Sequence, residues 1–453
     1  MMSGMAAVVV VTAFLAQQPA NPYLGSVSTG TATSEPLKLS VVDAVQRALQ
    51  ANVGLLLEQE DERGAGASRM RALADLLPNI AGTLRESRQV INLEAYGFPA
   101  PDPIVGPFNV FDARVGLSQP VIDLAARNDL RAAGFRQQAA KYGIRSARDL
   151  VVLVAVNLYL EAVAAGSRVE SARAQQQTAD LLLTQAQDLK SSGLVAGIDV
   201  LRAQVQAQTQ RQRAIAAAND FEKFKLQLER AIGLPIGQPI ALTDTMPYAP
   251  VPPPPVETAV QRALEGRPDY LEMKSRVDAA RASERAAFAA LLPSLRFDAD
   301  FGAIGQTIAA AHNTYSIAAT LRVPIFDGGR TSARRIEAQS DLRRREAELA
   351  DLRGRVEYEV RAALLDLTAA DQQVQAAQTN VDLAGQQLQQ ARDRFSAGVA
   401  GNLELTQAQE AVATASETYI SALYTHNLAK ASLARSLGIA ESAIATYLGG
   451  GKQ

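Results

Sequence analysis

Few residues in this chain are spaced so as to do chemistry. Its 453 residues include two histidines, His312 and His426, and no cysteine. Neither His has a neighbour at ligand spacing, so no metal site is expected. Without Cys there are no disulfides, thiolate ligands or Cys nucleophiles, and no lipid anchor on an N-terminal Cys. Asp327-Gly328-Gly329 fits neither a Walker loop nor a dinucleotide fingerprint and reads as a strand-to-helix turn. No nucleophile, base and ligand converge, so neither an enzyme nor a cofactor is expected. A net charge of -2 argues against a general nucleic-acid binder. What remains is two glycine-containing turns flanked by charge. The first holds Gly193, Leu194, Val195 and Gly197, with Asp188, Lys190 and Asp199 beside it. The second holds Gly398, Val399, Ala400 and Gly401, with Arg392, Asp393, Arg394 and Glu404 beside it. Such charges either latch helix ends together or are simply solvated, each exposed pair then contributing at most about 1 kcal/mol. Arg334, Arg335, Arg343, Arg344 and Arg345 form a third cluster, which reads best as a solvated helix face and otherwise as a contact to lipid headgroups or a lumen.

The elements that position these residues are written twice. Ala44-Val45-Gln46-Arg47-Ala48-Leu49 recurs from Ala259 to Leu264, and Leu76-Leu77-Pro78 recurs as Leu291-Leu292-Pro293, both at an offset of 215. Pro120-Val121-Ile122-Asp123 then matches Pro324-Ile325-Phe326-Asp327 at 204, and Gly193 matches Gly398 at 205. Repeats in a fixed order mean duplication. The offset changes between Pro78 and Pro120, which places a loop of variable length there. Between the copies lies a stretch with Pro235, Pro239, Pro247, Pro250 and Pro252 to Pro255, an extended linker rather than a helix.

Each copy runs helix, two strands, long helix, turn, returning helix. Leu295, Phe297, Ala299, Phe301 and Ala303 alternate with Arg296, Asp298 and Asp300; Tyr315, Ile317, Ala319, Leu321 and Val323 alternate with Thr314, Ser316, Thr320 and Arg322. Period-two alternation marks strands. Phe111, Ala113, Val115 and Leu117 repeat the pattern in the first copy, while the strand near Asn79 to Glu94 alternates poorly. Proline-free stretches over 124–191 and 331–396 predict rods of about 100 Å. Val374, Ala377, Val381, Ala384, Leu388, Ala391 and Phe395 step by three and four along one rod. Leu405, Ala408, Val412, Ala415, Tyr419 and Ala422 do so along its return. These are antiparallel coiled-coil hairpins with small seam residues. The fold class is mainly α with a small β part.

Four strands cannot close a barrel, and open sheet edges are not tolerated in lipid. The strands must sit on a soluble sheet or be completed by sister chains; three copies would give about twelve strands. The first reading is an export duct. The alternative is a structural coiled-coil protein of the cell envelope. The apolar run Met5 to Ala16 suits a signal peptide, although the first basic residue is Lys38.

The duplicated helix ending in Leu-Leu-Pro, the segment Leu321-Arg322-Val323-Pro324-Ile325-Phe326-Asp327-Gly328-Gly329-Arg330 and the two turn motifs together resemble the TolC-like outer-membrane efflux and secretion channels. The turns are each followed by an acidic residue, Asp199 or Glu404, and by Ala-Gln at 203–204 or 408–409. The resemblance covers nearly all of the chain after residue 38. It implies a homotrimer with a twelve-stranded β-barrel in the outer membrane and a long periplasmic helical tunnel. It further implies docking at the turns to a periplasmic adaptor and an inner-membrane pump, and a gate of ion pairs among Asp188, Asp199, Arg392, Asp393, Arg394 and Glu404. The expected organisation is a signal peptide over 1–20, a flexible lead-in over 21–38, repeats over 39–234 and 257–439 joined by the linker 235–256, and a tail over 440–453.

Overall fold

The computed structural model describes residues 21–447, apart from residues 100, 194, 247, 398 and 400. The expected signal peptide lies outside the described residues. In chain order the elements are β1 (Leu37–Leu39), α1 (Val41–Ala51), α2 (Val53–Ala74), β2 (Asn79–Asn92), β3 (Ile104–Ile122), α3 (Leu124–Ser191) and α4 (Gly197–Ala231). The second copy follows as β4 (Ile240–Leu242), α5 (Val256–Gly266), α6 (Pro268–Ala289), β5 (Ser294–Gly305), β6 (His312–Arg322), α7 (Arg330–Ser396), α8 (Asn402–Ser436) and α9 (Ala440–Tyr447).

The rods α3 and α7 have 68 and 67 residues, about 100 Å each. Each is flanked by shorter helices stacked end to end: α1, α2 and α4 have 11, 22 and 35 residues and together match α3. The leading helices are not continuous, as the sequence alone suggested. They break at Asn52 and at Arg267, positions related by the offset of 215. Both breaks are extended backbone satisfied by side chains. Asn52 accepts from the Leu55 N–H and donates to the Tyr23 carbonyl. The buried Arg267 guanidinium pairs with Asp269 and Glu359, each at 2.6 Å. Pro268, suited to a first helical position, was the readable sign of the second break.

A hub of Leu39, Val45, Leu55, Val151, Val156, Tyr159, Leu228, Ile232 and Ile240 gathers where the stacked helices meet α3. Among the described residues, α3 alone is long and apolar enough to cross a membrane, yet that apolar stretch is more than half buried. It is the rod's contribution to the hub. A second core of Val356, Val360, Leu364, Leu367, Leu433 and Leu437 serves the other copy.

Two expected boundaries need correction. The lead-in 21–38 is tied down: Val27 N–H donates to the Ala51 carbonyl at 2.8 Å, Thr33 N–H to Gln238 Oε1 at 2.7 Å, and β1 pairs in parallel with β4. The linker is extended at β4, which lies within it, and is held there by its pairing with β1. The tail begins as a helix held by a two-pronged Arg148–Glu441 ion pair at 2.9 and 2.5 Å. In each case distant backbone donors and acceptors satisfy one another, which local composition does not reveal.

Asp244 fixes the linker to the hub. One carboxylate oxygen accepts from the Val41 N–H at 2.7 Å and from the buried Tyr159 hydroxyl at 2.9 Å. Asp244→Ala is expected to cost about 2–4 kcal/mol, because a helix N-terminus and a buried hydroxyl both lose an ionic acceptor; chemical denaturation checks this.

Lys430 in α8 is nearly inaccessible, and burial pushes its ammonium down to about 8. The unfolded chain, with a lysine near 10.4, holds that proton more tightly. Stability should therefore rise with pH between about 8 and about 10, with the burial penalty fully present below 8. Lys430→Met is expected to stabilise at pH 7 by about 1–3 kcal/mol, a gain that disappears toward about pH 10 in thermal melts.

Candidate functional site: the sheet faces and the helical tips

The four long strands form one antiparallel sheet in the order β2-β3-β5-β6. Residues paired across strands share a face, so the register sorts them. Leu117 faces Ile80 and Ala299, which faces Ile317; Val115 faces Gly82 and Phe301, which faces Tyr315; Ala113 faces Leu84 and Ala303. This face is apolar and exposed, Tyr315 at 74% and Ile317 at 67%. From Leu295 to Ala303 it runs about 26 Å along the strand, or about 20 Å in height at a tilt of about 40°, most of the roughly 25 Å of a lipid-facing band. Glu86 and Arg88 lie on the same face of β2, opposite Phe111 and Asn109.

The other face is polar and slightly concave, lined by Asn79, Thr83, Arg114, Ser118, Asp298, Asp300 and Ser316. Arg114 pairs with Asp112 at 2.6 Å and with Asp300 at 3.1 Å; the Ser118 hydroxyl donates to Asp298 at 2.7 Å. Arg114 stands opposite Gly302, where a Cβ would fall 2.1 Å from the Ala113 carbonyl oxygen and 2.7 Å from the Arg114 Cγ, so only glycine fits. These alternations are legible along each strand, but the register between strands decides which residues share a face of the sheet.

Two long rods away lie the turns. Gly193 adopts the left-handed conformation its lack of Cβ permits, and its N–H donates to the Lys190 carbonyl at 2.9 Å. Val399 N–H closes the other turn on the Arg394 carbonyl at 3.0 Å, leaving its side chain 67% exposed. Gly197 and Gly401 stand at the starts of α4 and α8, and Val195 is half-buried. Leu194, Gly398 and Ala400 lie outside the described residues.

Of the flanking charges, the structure brings Arg394 to Glu404 at 3.1 Å, across the second turn. Asp199 pairs locally with Arg202 at 3.4 Å. Asp393 accepts from Gln389, and the Asp188 carbonyl accepts from the Ser191 and Ser192 hydroxyls. These contacts shape each turn and do not join the two hairpins.

The bonds between hairpins lie higher and were missed. Glu410 on α8 accepts from Gln206 and Gln210 at 3.2 and 3.3 Å and pairs with Arg213 at 2.9 Å, all three on α4. Arg168 on α3 binds Glu417 at 2.9 Å and Ser421 at 3.2 Å, and the Tyr424 hydroxyl donates to Asn157 at 2.7 Å. A signal existed: by the offset of 205, Glu410 and Glu417 stand where the first copy has Val205 and Gln212. Breaks in a repeat mark what one copy does alone. Below these bonds, Leu182 of α3 packs with Ala391, Phe395, Leu405 and Ala408 of the second hairpin.

The arginine cluster does not converge. Arg335 stacks on the Phe288 ring at 5.4 Å, Arg344 pairs with Asp341, and Arg345 pairs with Glu348. His312 lies on the polar sheet face opposite Ile304, whereas His426 is buried against Tyr248, its Nε2 3.9 Å from Asp371. Burial, together with the nearby Lys430 charge, lowers the His426 pKa.

Residues 259–439 match the family model described as outer membrane efflux protein. Over that second half the chain is similar to this family. The alkaline protease secretion protein AprF of Pseudomonas aeruginosa is 24% identical over 74% of this chain and 71% of its own length. The outer membrane protein OprJ of the same organism is 25% identical over 93% and 91%. The Campylobacter jejuni CmeC outer membrane channel has the same fold, with a TM-score of 0.79 over 93% of this chain and 92% of that one at 17% identity. The chain therefore shares the fold of an outer-membrane channel subunit. Its mostly helical architecture with a small sheet is that of such solved channels.

Proposed function

We propose that three copies of this chain form a passive exit duct: a twelve-stranded barrel in the outer membrane continued by an α-helical tunnel through the periplasm. The observation that carries the reading is the sheet. It has one apolar exposed face, one charged concave face, and an unpaired edge on each side, along β2 and β6. Such a sheet is stable in lipid only when its edges are closed, and sister chains supply the closure. The apolar face then meets lipid and the charged face lines the lumen.

At the far end, Gly193, Leu194, Val195 and Gly197, with Gly398, Val399, Ala400 and Gly401, form the mouth that a periplasmic adaptor grips. An inner-membrane pump behind that adaptor drives cargo into the duct, which itself consumes no energy. The charges Asp188, Asp199, Arg392, Asp393, Arg394 and Glu404 set the shape of each tip, and the Glu410 and Arg168 networks keep the second hairpin against the first. The duct rests closed while these bonds hold.

Two measurements test this. Native mass of the detergent-extracted protein should be that of a trimer that heat converts to monomer, and a planar bilayer should show discrete conductance steps. A water-soluble monomer without bilayer activity would end the proposal. For the tips, Cys substitution at Val195 or Val399 should cross-link to an inner-membrane-anchored partner in whole cells, and recovery of none would count against docking.

A further inference from the structure

The duplication fixes how one copy must meet the next. Adding 215 to a β2 position and 204 to its β3 partner converts one hairpin's register into the other's: Asn79 opposite Ser118 becomes Ser294 opposite Arg322, which is the observed pair. Both offsets come from the sequence repeats, and every pair between β5 and β6 obeys them. The same operation applied to the central seam, β3 against β5, carries β3 onto β6 and carries β5 back onto a β2. The β2 of the same copy lies at the opposite edge of the sheet. The β2 that the operation reaches therefore belongs to another copy.

From this geometry, and resting on the trimeric reading above, we propose the register of the seam between copies. β6 of one copy pairs antiparallel with β2 of the next, with Leu321 opposite Leu84 of the next copy. The template is the observed pair Leu117–Ala299. Val323 then faces Gly82, as Gln119 faces Phe297, and Phe326 faces Ile80, as Ile122 faces Leu295 across the same register shift.

The chemistry of the two edges agrees at the end of the seam near the helices. Farther along, the same register sets Ala319 opposite Glu86 and Ile317 opposite Arg88, a charged patch on this face. Phe326 is 90% exposed and Ile80 is 68% exposed within one copy, and the seam brings the two together. On the opposite face Arg322 meets Thr83 and Thr320 meets Arg85, so polar residues meet polar. A slip of one residue would set Leu321 opposite Thr83 or Arg85 and invert the faces of a whole strand, which a sheet with lipid on one side and water on the other does not tolerate. The helices follow the same operation. Where α3 packs on α6, α7 would pack on α2 of the next copy, bringing the acidic run Glu60, Asp61 and Glu62 to the height of Arg344, Arg345 and Glu346.

The chain contains no cysteine, so cross-links report only the residues introduced. Directly opposed strand positions place Cβ atoms about 4.5–5.5 Å apart, within reach of a disulfide after small adjustment. Leu84→Cys combined with Leu321→Cys, oxidised in outer-membrane fractions, is expected to convert most of the chain to covalent dimer and trimer on a non-reducing gel. Each single variant should stay monomeric, and Leu84→Cys with Ile317→Cys, four positions along the edge, should not cross-link. Ile80→Cys with Phe326→Cys reads the same register independently should the first pair fail to assemble. A trimer by native mass that cross-links through the Leu84/Ile317 pair, or through neither proposed pair, overturns the register. A monomer by native mass overturns the trimeric reading itself.

Discussion

Arginine in place of Ile317 is expected to abolish assembly of the membrane-inserted oligomer. Ile317 lies on the apolar sheet face between Ala299 and the exposed edge, 67% exposed in one copy. An arginine on a lipid face costs up to about 2–4 kcal/mol. By the proposed seam register it would also stand opposite Arg88 of the next copy, where like charges repel. A symmetric trimer repeats the lipid cost in every copy, up to about 6–12 kcal/mol, which is comparable with the whole stability of an ordinary domain. Its neighbour Ser316 provides the control, because successive strand residues point to opposite faces. Ser316→Arg places the same charge beside Asp300 on the polar face and should assemble normally. Both are read as the heat-sensitive oligomer in outer-membrane extracts. Equal tolerance of the two arginines would mean that the sheet does not separate lipid from water.

The second large effect is expected at the inter-hairpin bonds. Glu410 gathers Gln206, Gln210 and Arg213, and Arg168 gathers Glu417 and Ser421. The charged partners are partly exposed, Arg213 at 47% and Glu410 at 40% of their side chains, so each pair alone contributes less than about 1 kcal/mol. As networks they sum to about 1–2 kcal/mol, and removing both in Glu410→Ala/Arg168→Ala should raise the population of the open tip about 5- to 30-fold. Single-channel conductance or uptake of a large antibiotic checks this. Arg394→Ala, which breaks only the bond across its own turn to Glu404 at 3.1 Å, should have a much smaller effect. If Arg394→Ala opens the duct as far as the double variant, the gate lies at the tip and the higher bonds are only struts.

The split between these two sites follows the split between what was and was not readable. Heptad steps such as Val374, Ala377, Ala384, Ala391 and Phe395 are buried as expected, because one helical face against one partner imposes its period directly on the sequence. Alternation likewise exposed three of the four long strands. β2 was the exception: Gly82, Glu86 and Arg88 interrupt its apolar face. The inter-hairpin bonds were not readable as contacts, because Glu410 and Arg213 are 197 positions apart and nothing local couples them.

By itself, then, the sequence determined the duplication, the rods and the strands, since each is written in short-range periodicity or in a motif repeated at a constant offset. The tertiary structure decided which sheet face is charged, where the leading helices break, how the lead-in and linker knit the hub, and which side chains bridge the hairpins. Those features depend on pairings between residues far apart in the chain. Such pairings are set when buried donors, acceptors and charges find one another in space, and no window along the sequence contains both partners.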